Sequence, residues 1–140
     1  MSGDNRSPWA KFFQFFSMRR KEKAKIDLSP LNSIDGFQAA ALVDVDSGLA
    51  LATTGGGVNL EVAAAGNTEV YKAKLKVANT LGLNDKIEDI LITLGKGYHL
   101  IRPLSNNSKI FLYLVLDRSK ANLAMARHEL KSFENSLDFS

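Results

Sequence analysis

The chain has 140 residues, a length typical of one domain, and its 45% hydrophobic and 24% charged content is that of a globular protein. The absence of cysteine excludes disulfides, thiol nucleophiles and thiolate metal sites, and two histidines, His99 and His128, leave little room for a histidine metal cage or a conventional triad. The first 25 residues carry a net charge of +5 and the other 115 a net charge of −2, so the positive charge belongs to the N-terminal arm and nucleic-acid binding by the whole domain loses its main support.

Residues 1–25 form an aromatic and basic arm that predicts a short amphipathic helix. Ser7 and Pro8 are typical of a helix start, and a basic tail runs from Arg19 to Lys25. The aromatic residues that we expect to dock share one helical stripe: Trp9, Phe12, Phe13 and Phe16. Such an arm suits its own domain or a sister copy, another protein, or an anionic membrane. We expect a protein surface, because four exposed aromatics would invite aggregation.

Residues 26–140 predict one domain with elements in the order α-β-β-α-β-β-β-α. Ser29 and Pro30 start a helix of one or two turns that stops at Gly36. The predicted strands are Phe37 to Val45, Leu49 to Thr53, Ile87 to Leu94, Tyr98 to Leu104 (cut short by Pro103) and Ile110 to Asp117. Strands that follow one another, with helices between groups of them, predict an α+β fold with a five-stranded antiparallel sheet flanked by helices.

Two further helices complete the prediction. Asn59 is a plausible cap for a long helix from Leu60 to about Leu81, with Gly82 just past its end. Ser119 is expected to cap the last helix. In that helix the apolar residues recur at heptad-like spacing: Leu123, Ala126, Leu130, Phe133 and Leu137.

The long middle helix has more apolar surface than one sheet face needs, and this surface forms two stripes. The first contains Leu60, Ala64, Tyr71, Leu75 and Ala78. The second contains Val62, Ala63, Gly66, Val70, Ala73, Val77 and Leu81. One stripe is expected to face the sheet, and the other, rich in small residues, suits an interface with another copy of the chain. The alternative is that the first or last helix of the same chain covers it.

The candidate chemical groups are weak, and together they argue against an enzyme. The glycine-rich segment 53–57 before a helix lacks the Gly-Lys-Ser/Thr ending of a nucleotide-binding loop. Asp44 and Asp46 suit a hairpin turn better than a cation site, and no third ligand is evident. His99 is better explained as a half-buried strand residue, and His128 lacks the second histidine of a zinc protease motif. We therefore expect no catalytic residue, no metal and no cofactor.

Residues 36 to about 137 resemble a roadblock/dynein-light-chain-type domain, a profilin-like α+β fold. The resemblance follows the pattern of the whole domain and leaves the arm outside it. The matching segments are Gly36, Ala41 to Asp44 with Asp46 to Ala52, Ala63 to Ala65, Ile90 to Thr93, Tyr98 to Leu104, Phe111 to Asp117 and Ala121 to Arg127.

The resemblance implies a non-enzymatic homodimer, similar to stand-alone bacterial members of that family. Its third strands and long helices would join across a two-fold axis. The implied interface residues are Val62, Gly66, Val70, Ala73 and Val77 from the helix, and Ile90 and Ile92 from the strand. Arg102 and Arg118 are expected to be structural.

The implied partner is a Ras-like small GTPase or another signalling or motor complex, and no nucleic acid. The missing cysteines fit a reducing compartment, and we expect a cytoplasmic protein. Two alternatives stay open. A ligand-sensing profilin-like module would need a polar-lined cavity under the long helix. A membrane-surface scaffold would act through the arm.

Overall fold

A computed structural model of the chain describes residues 26–137, so the predicted arm lies outside the described residues. The elements in chain order are a 3₁₀ turn (Ser29–Ser33), β1 (Phe37–Asp44), β2 (Leu49–Gly55), α1 (Leu60–Leu81), β3 (Ile90–Thr93), β4 (Gly97–Leu104), β5 (Asn107–Asp117) and α2 (Leu123–Ser136). The predicted α+β class and element order are confirmed, with a single 3₁₀ turn as the first helical element.

The five strands form one antiparallel sheet in the order β2-β1-β5-β4-β3. β5, the most apolar strand, lies at the centre, and its residues from Ile110 to Leu116 are all buried. β2 and β3 are the edges. β3 has only four residues and pairs with β4 alone, so the backbone groups along its other side have no strand beside them within residues 26–137.

Both faces of the sheet carry a hydrophobic core, because successive side chains of β1 and β5 point to opposite faces. The 3₁₀ turn and α2 cover one face around Leu42, Leu112 and Leu114. On the other face α1 packs against β1 and β2, and its Tyr71 ring meets Phe111 edge to face with centroids 6.0 Å apart.

The bounds of α1 match the prediction because both ends have local signals. The side chain of Asn59 accepts a hydrogen bond from the Val62 amide at 3.2 Å. At the other end Gly82 adopts a left-handed conformation with φ 66°, and its amide donates to the last turn.

The prediction of Leu49 to Thr53 for β2 was too short, because the strand continues to Gly55. Gly55 has φ +81°, and a Cβ there would lie 2.2 Å from the Gln38 carbonyl oxygen. Only glycine allows the strand to stay paired with Ala39 at this point.

The predicted bounds of the other strands also need correction. β1 ends at Asp44 rather than Val45, and β4 starts at Gly97 rather than Tyr98. The predicted end of β4 at Leu104 is confirmed, and the register with β5 shifts between Pro103 and Leu104. β5 starts at Asn107 rather than Ile110, because the β4–β5 hairpin turns within two residues, with Leu104 paired to Asn107.

β3 is shorter than the predicted Ile87 to Leu94, because the residues before it serve another contact. Asp89 accepts two hydrogen bonds from Arg127 of α2, at 2.9 and 3.1 Å. Because Ile87 continues the apolar pattern before Ile90, the sequence does not show where β3 begins.

The predicted Ser119 cap of α2 was wrong. Ser119 instead donates to Asp117 Oδ1 through its amide at 3.0 Å and its hydroxyl at 2.8 Å. The cap is Asn122, whose side chain accepts from the Met125 amide at 3.1 Å, and Leu137 lies just past the helix end.

Candidate functional site

The two apolar stripes of α1 have opposite environments. Ala64 and Tyr71 of the first stripe are buried against the sheet. In the second stripe Ala63 is half-buried, and the other residues are exposed. We call those six the exposed stripe: Val62 (66% exposed), Gly66, Val70 (41%), Ala73, Val77 (47%) and Leu81 (64%). No element within residues 26–137 covers it, so the alternative that another helix of the same chain does so finds no support there.

Next to the exposed stripe, the sheet surface is also incompletely covered. Because α1 packs against β1 and β2, the side chains of β3 and β4 on this face lie beyond the helix. Ile90, Ile92 and His99 are each half-buried there, and we call these three residues the open floor. Their strands pair directly, with Ile92 opposite His99. The stripe lies on the helix that covers part of this sheet face and the floor on the strands beyond that helix, and we call the two surfaces together the apolar step.

His99 has a specific partner beneath this surface. Its Nδ1 lies 2.9 Å from the hydroxyl of Tyr113 on β5, and the two rings meet edge to face at 5.5 Å. Burial lowers the pKa of His99 below its ordinary value. The sequence offered no signal for this pair, because the two residues are 14 positions apart on different strands.

Asp44 and Asp46 do not act together. Asp44 is buried and accepts hydrogen bonds from the amide and hydroxyl of Ser47, at 3.1 and 2.7 Å, within the β1–β2 turn. Asp46 is exposed and pairs with Lys109 at 3.1 Å. Among residues 26–137 no group of three or more His, Cys, Asp and Glu side chains is placed to hold a metal ion.

The two arginines that we singled out make structural contacts. Arg118 donates to the Leu94 carbonyl at 3.1 Å, and its guanidinium lies 5.6 Å from the centre of the Tyr98 ring. Arg102 Nε donates to the buried Glu134 of α2 at 3.2 Å. Both therefore hold the turn and strand framework in place.

Glu134 fixes the end of α2 against β4. Burial alone would raise the pKa of its carboxyl, but hydrogen bonds from Ser105 and the ion pair with Arg102 outweigh burial and hold that pKa below its ordinary value. The carboxylate accepts from the Ser105 amide at 2.7 Å. The charged form of Glu134 is thus built into the fold.

Two large depressions on the described surface are open grooves. One, of about 900 Å³, lies at the C-terminal half of α1 beside Tyr71, Leu75 and the β4–β5 hairpin. A second, of about 870 Å³, lies between α2 and the segment before β3, and exposed His128 lines it. Both open to solvent, and the ligand-sensing alternative gains no support from them. Neither helix among residues 26–137 is long and apolar enough to span a bilayer.

No protein-family model and no curated protein sequence matches this chain. Its structure is similar to a Roadblock/LC7 domain from Streptomyces avermitilis, with a TM-score of 0.67 and 16% identity over 77% of this chain and 88% of that one. It is similar to an MglB in a tetrameric arrangement, with a TM-score of 0.67 and 18% identity over 85% of this chain and 87% of that one. It is also similar to the gliding protein MglB of Thermus thermophilus, with a TM-score of 0.58 and 18% identity over 86% and 91% of the two chains. The fold is that of a roadblock-type domain.

Proposed function

We propose that this chain, with its roadblock-type fold, is a non-catalytic homodimeric adaptor that binds a signalling protein of the Ras-like GTPase class in the cytoplasm. The observation that carries the proposal is the apolar step made by the exposed stripe and the open floor, together with the edge strand β3, whose outer side pairs with no strand of residues 26–137. An apolar surface of this kind on a small domain is typical of an interface.

The spacing of the exposed stripe supports two copies related by a two-fold axis. Its residues follow one another at intervals of four, four, three, four and four, which read the same in both directions. Antiparallel helices would therefore place stripe residue against stripe residue, as an isologous interface requires. Gly66 of one copy would then lie opposite Val77 of the other, and Ala73 opposite Val70, so that small residues face larger ones.

Charges beside the stripe favour the same antiparallel arrangement. Glu69 and Lys76 are both exposed and lie two helical turns apart along one flank of the stripe. A two-fold axis between antiparallel helices puts the same flank of both copies together, so Glu69 of one copy would lie near Lys76 of the other. These opposite charges support the antiparallel arrangement.

The edge strand β3 supplies the second part of the interface. Its outer backbone groups need hydrogen-bond partners, and an antiparallel β3 of a second copy would provide them. The two sheets would then become continuous, and Ile90 and Ile92 of both copies would lie under the paired helices.

The non-catalytic role rests on what the described residues assemble. His99 is hydrogen-bonded to Tyr113 rather than to a catalytic nucleophile, and His128 is exposed. Such a protein would reposition the catalytic groups of its partner instead of supplying catalytic groups of its own. The roadblock-type fold agrees with the family resemblance of the sequence, and that resemblance implies the signalling partner.

Sedimentation at micromolar concentration tests the homodimer, and we expect about twice the chain mass. A monomer would contradict the proposal. Stimulation or inhibition of a candidate small GTPase tests the partner class. Tight binding of ATP or GTP by the purified chain alone, measured by calorimetry, would contradict the non-catalytic role.

A comparison of the full chain with a chain lacking residues 1–25 tests the arm. We expect the aromatic stripe of the arm to dock on a protein surface, so that its removal weakens capture of the partner but leaves the homodimer. Dependence of vesicle binding on the arm would favour the membrane-surface alternative instead.

A further inference from the structure

Two polar side chains, Tyr113 on β5 and His99 on β4, lie beneath the proposed interface. The hydroxyl of Tyr113 lies 2.9 Å from His99 Nδ1. His99 itself is half-buried and belongs to the open floor.

The hydrogen bond between the two rings depends on the protonation of the histidine. When the Tyr113 hydroxyl donates to Nδ1, His99 is neutral and carries its proton on Nε2. Burial raises the pKa of Tyr113, so the tyrosine keeps the hydrogen that this direction needs. Burial also lowers the pKa of His99, which favours the neutral ring.

The Nε2 side of His99 is open to water in a single copy. His99 is half-buried, no acceptor within residues 26–137 pairs with Nε2, and no buried polar side-chain atom there lacks a partner. Solvent must therefore reach Nε2. A second copy packed on the open floor would displace this water and bury the ring further.

Protonation of His99 would conflict with that burial. Nδ1 would become a donor toward Tyr113, and the tyrosine hydrogen would lose its acceptor. The residues that pair or hydrogen-bond with His99 are apolar or neutral: β3 contributes Ile92, and β5 contributes Val115 and Tyr113. The next side chain on this face of β5 is the carboxylate of Asp117, which accepts from the amide and hydroxyl of Ser119. No ion pair within residues 26–137 compensates an imidazolium charge on His99.

We propose that self-association through the exposed stripe and the open floor requires neutral His99, which makes the homodimer sensitive to pH. The proposal rests on the homodimer proposed above. The ordinary pKa of histidine is 6.5, burial in one copy already lowers that of His99, and the second copy should lower it further. The dimer then binds fewer protons than two separate copies, so acid favours separation.

The test measures the dissociation constant of the full chain by sedimentation at about pH 8 and about pH 5.5, on either side of the ordinary histidine pKa. We expect the constant to rise about tenfold at the lower pH if the dimer lowers the pKa of His99 by about one unit. Circular dichroism at both pH values checks that the fold is intact.

Histidine variants provide the matched comparison, because the chain contains only two histidines. His99→Gln cannot be protonated and should lose the pH dependence. His128→Gln, on the exposed surface of α2, should keep it. If His99→Gln keeps the full dependence, or if the wild-type constant is the same at both pH values, the role of His99 is overturned while the homodimer stands. A monomer at the higher pH overturns the homodimer and this proposal together.

Tyr113→Phe provides a second test, which does not depend on the stability of the His99→Gln variant. Without the tyrosine hydroxyl, Nδ1 is free to take a proton, so the pKa of His99 should rise. The midpoint of dissociation should move to higher pH, and NMR titration of the His99 ring should show the same shift. An unchanged midpoint with an unchanged His99 titration contradicts the proposal.

Discussion

The two halves of the sheet are built from similar apolar residues but are covered very differently. In the half formed by β1 and β5, Leu42 and Leu114 are 0% exposed, because the 3₁₀ turn and α2 close one face and α1 closes the other. In the half formed by β3 and β4, Ile90 and Ile92 are only half-buried, and Leu94, which directly follows the end of β3, is 45% exposed.

The cause of this difference is the position of α1 on the sheet. The helix packs against β1 and β2, and its second stripe stays exposed. On the opposite face the same half is closed, since Leu100 and Leu104 of β4 are buried. Residues 26–137 therefore cover the sheet except on one face of the β3 and β4 half, and that face is the surface that we propose for the second copy.

The largest expected change in the free energy of unfolding is in the half of the sheet formed by β1 and β5. Leu114→Ala leaves a cavity at the centre of the sheet and should lower the free energy of unfolding by about 2–5 kcal/mol. Urea titration measures this. Met125→Ala, at a residue 52% exposed on α2, is the control and should change it by less than about 0.5 kcal/mol. Equal losses in the two variants would contradict the division into halves.

The next effect is in the open half and concerns association rather than folding. Val70→Glu or Ala73→Glu would bury an unpaired carboxylate at the helix contact, so the dimer dissociation constant should rise at least about 100-fold. Lys72→Glu, at an exposed residue away from the stripe, should be tolerated. Sedimentation distinguishes the three variants, and similar behaviour of all three would show that the face is wrongly assigned.

A smaller effect is expected at the contact that holds the open half against α2. Glu134→Gln weakens the hydrogen bonds with Arg102 and Ser105 and should cost about 1.5–3 kcal/mol of unfolding free energy near neutral pH. Because the folded state lowers the pKa of Glu134 below 4.5, the wild-type advantage is present above that pH and is lost as the pH falls through the lowered value.

Urea titrations of the Glu134 variant at neutral and acid pH measure this difference. Glu129→Gln, at an exposed position of the same helix, is the matched control and should show no such pH-dependent loss. A constant difference between Glu134→Gln and wild type across the acid range would contradict the linkage.

The smallest expected change in stability concerns the start of α1. Asn59→Ala removes the acceptor for the Val62 amide and should destabilise the fold by about 1 kcal/mol, whereas Asn59→Ser keeps a cap and should lose much less. Thermal unfolding of the two variants measures the difference. Equal losses would mean that the cap does not fix the helix start.

The features that local sequence signals control were predictable. The start and end of α1 follow from Asn59 and Gly82, and the order of elements follows from hydrophobic periodicity. The start of β3 was predicted wrongly, because Asp89 accepts from Arg127, which lies 38 positions further along the chain. The cap of α2 was predicted wrongly for a local reason, because the Ser119 hydroxyl donates to Asp117 two residues before it.

By itself, the sequence determined that α1 has two apolar stripes, because a 3.6-residue period decides which side chains share a face. It also determined the α+β class. Only the tertiary structure decided which stripe is covered, since this depends on where the helix crosses the sheet. The tertiary structure likewise brought His99 to Tyr113, because strand register, and no local spacing, sets which side chains of neighbouring strands meet.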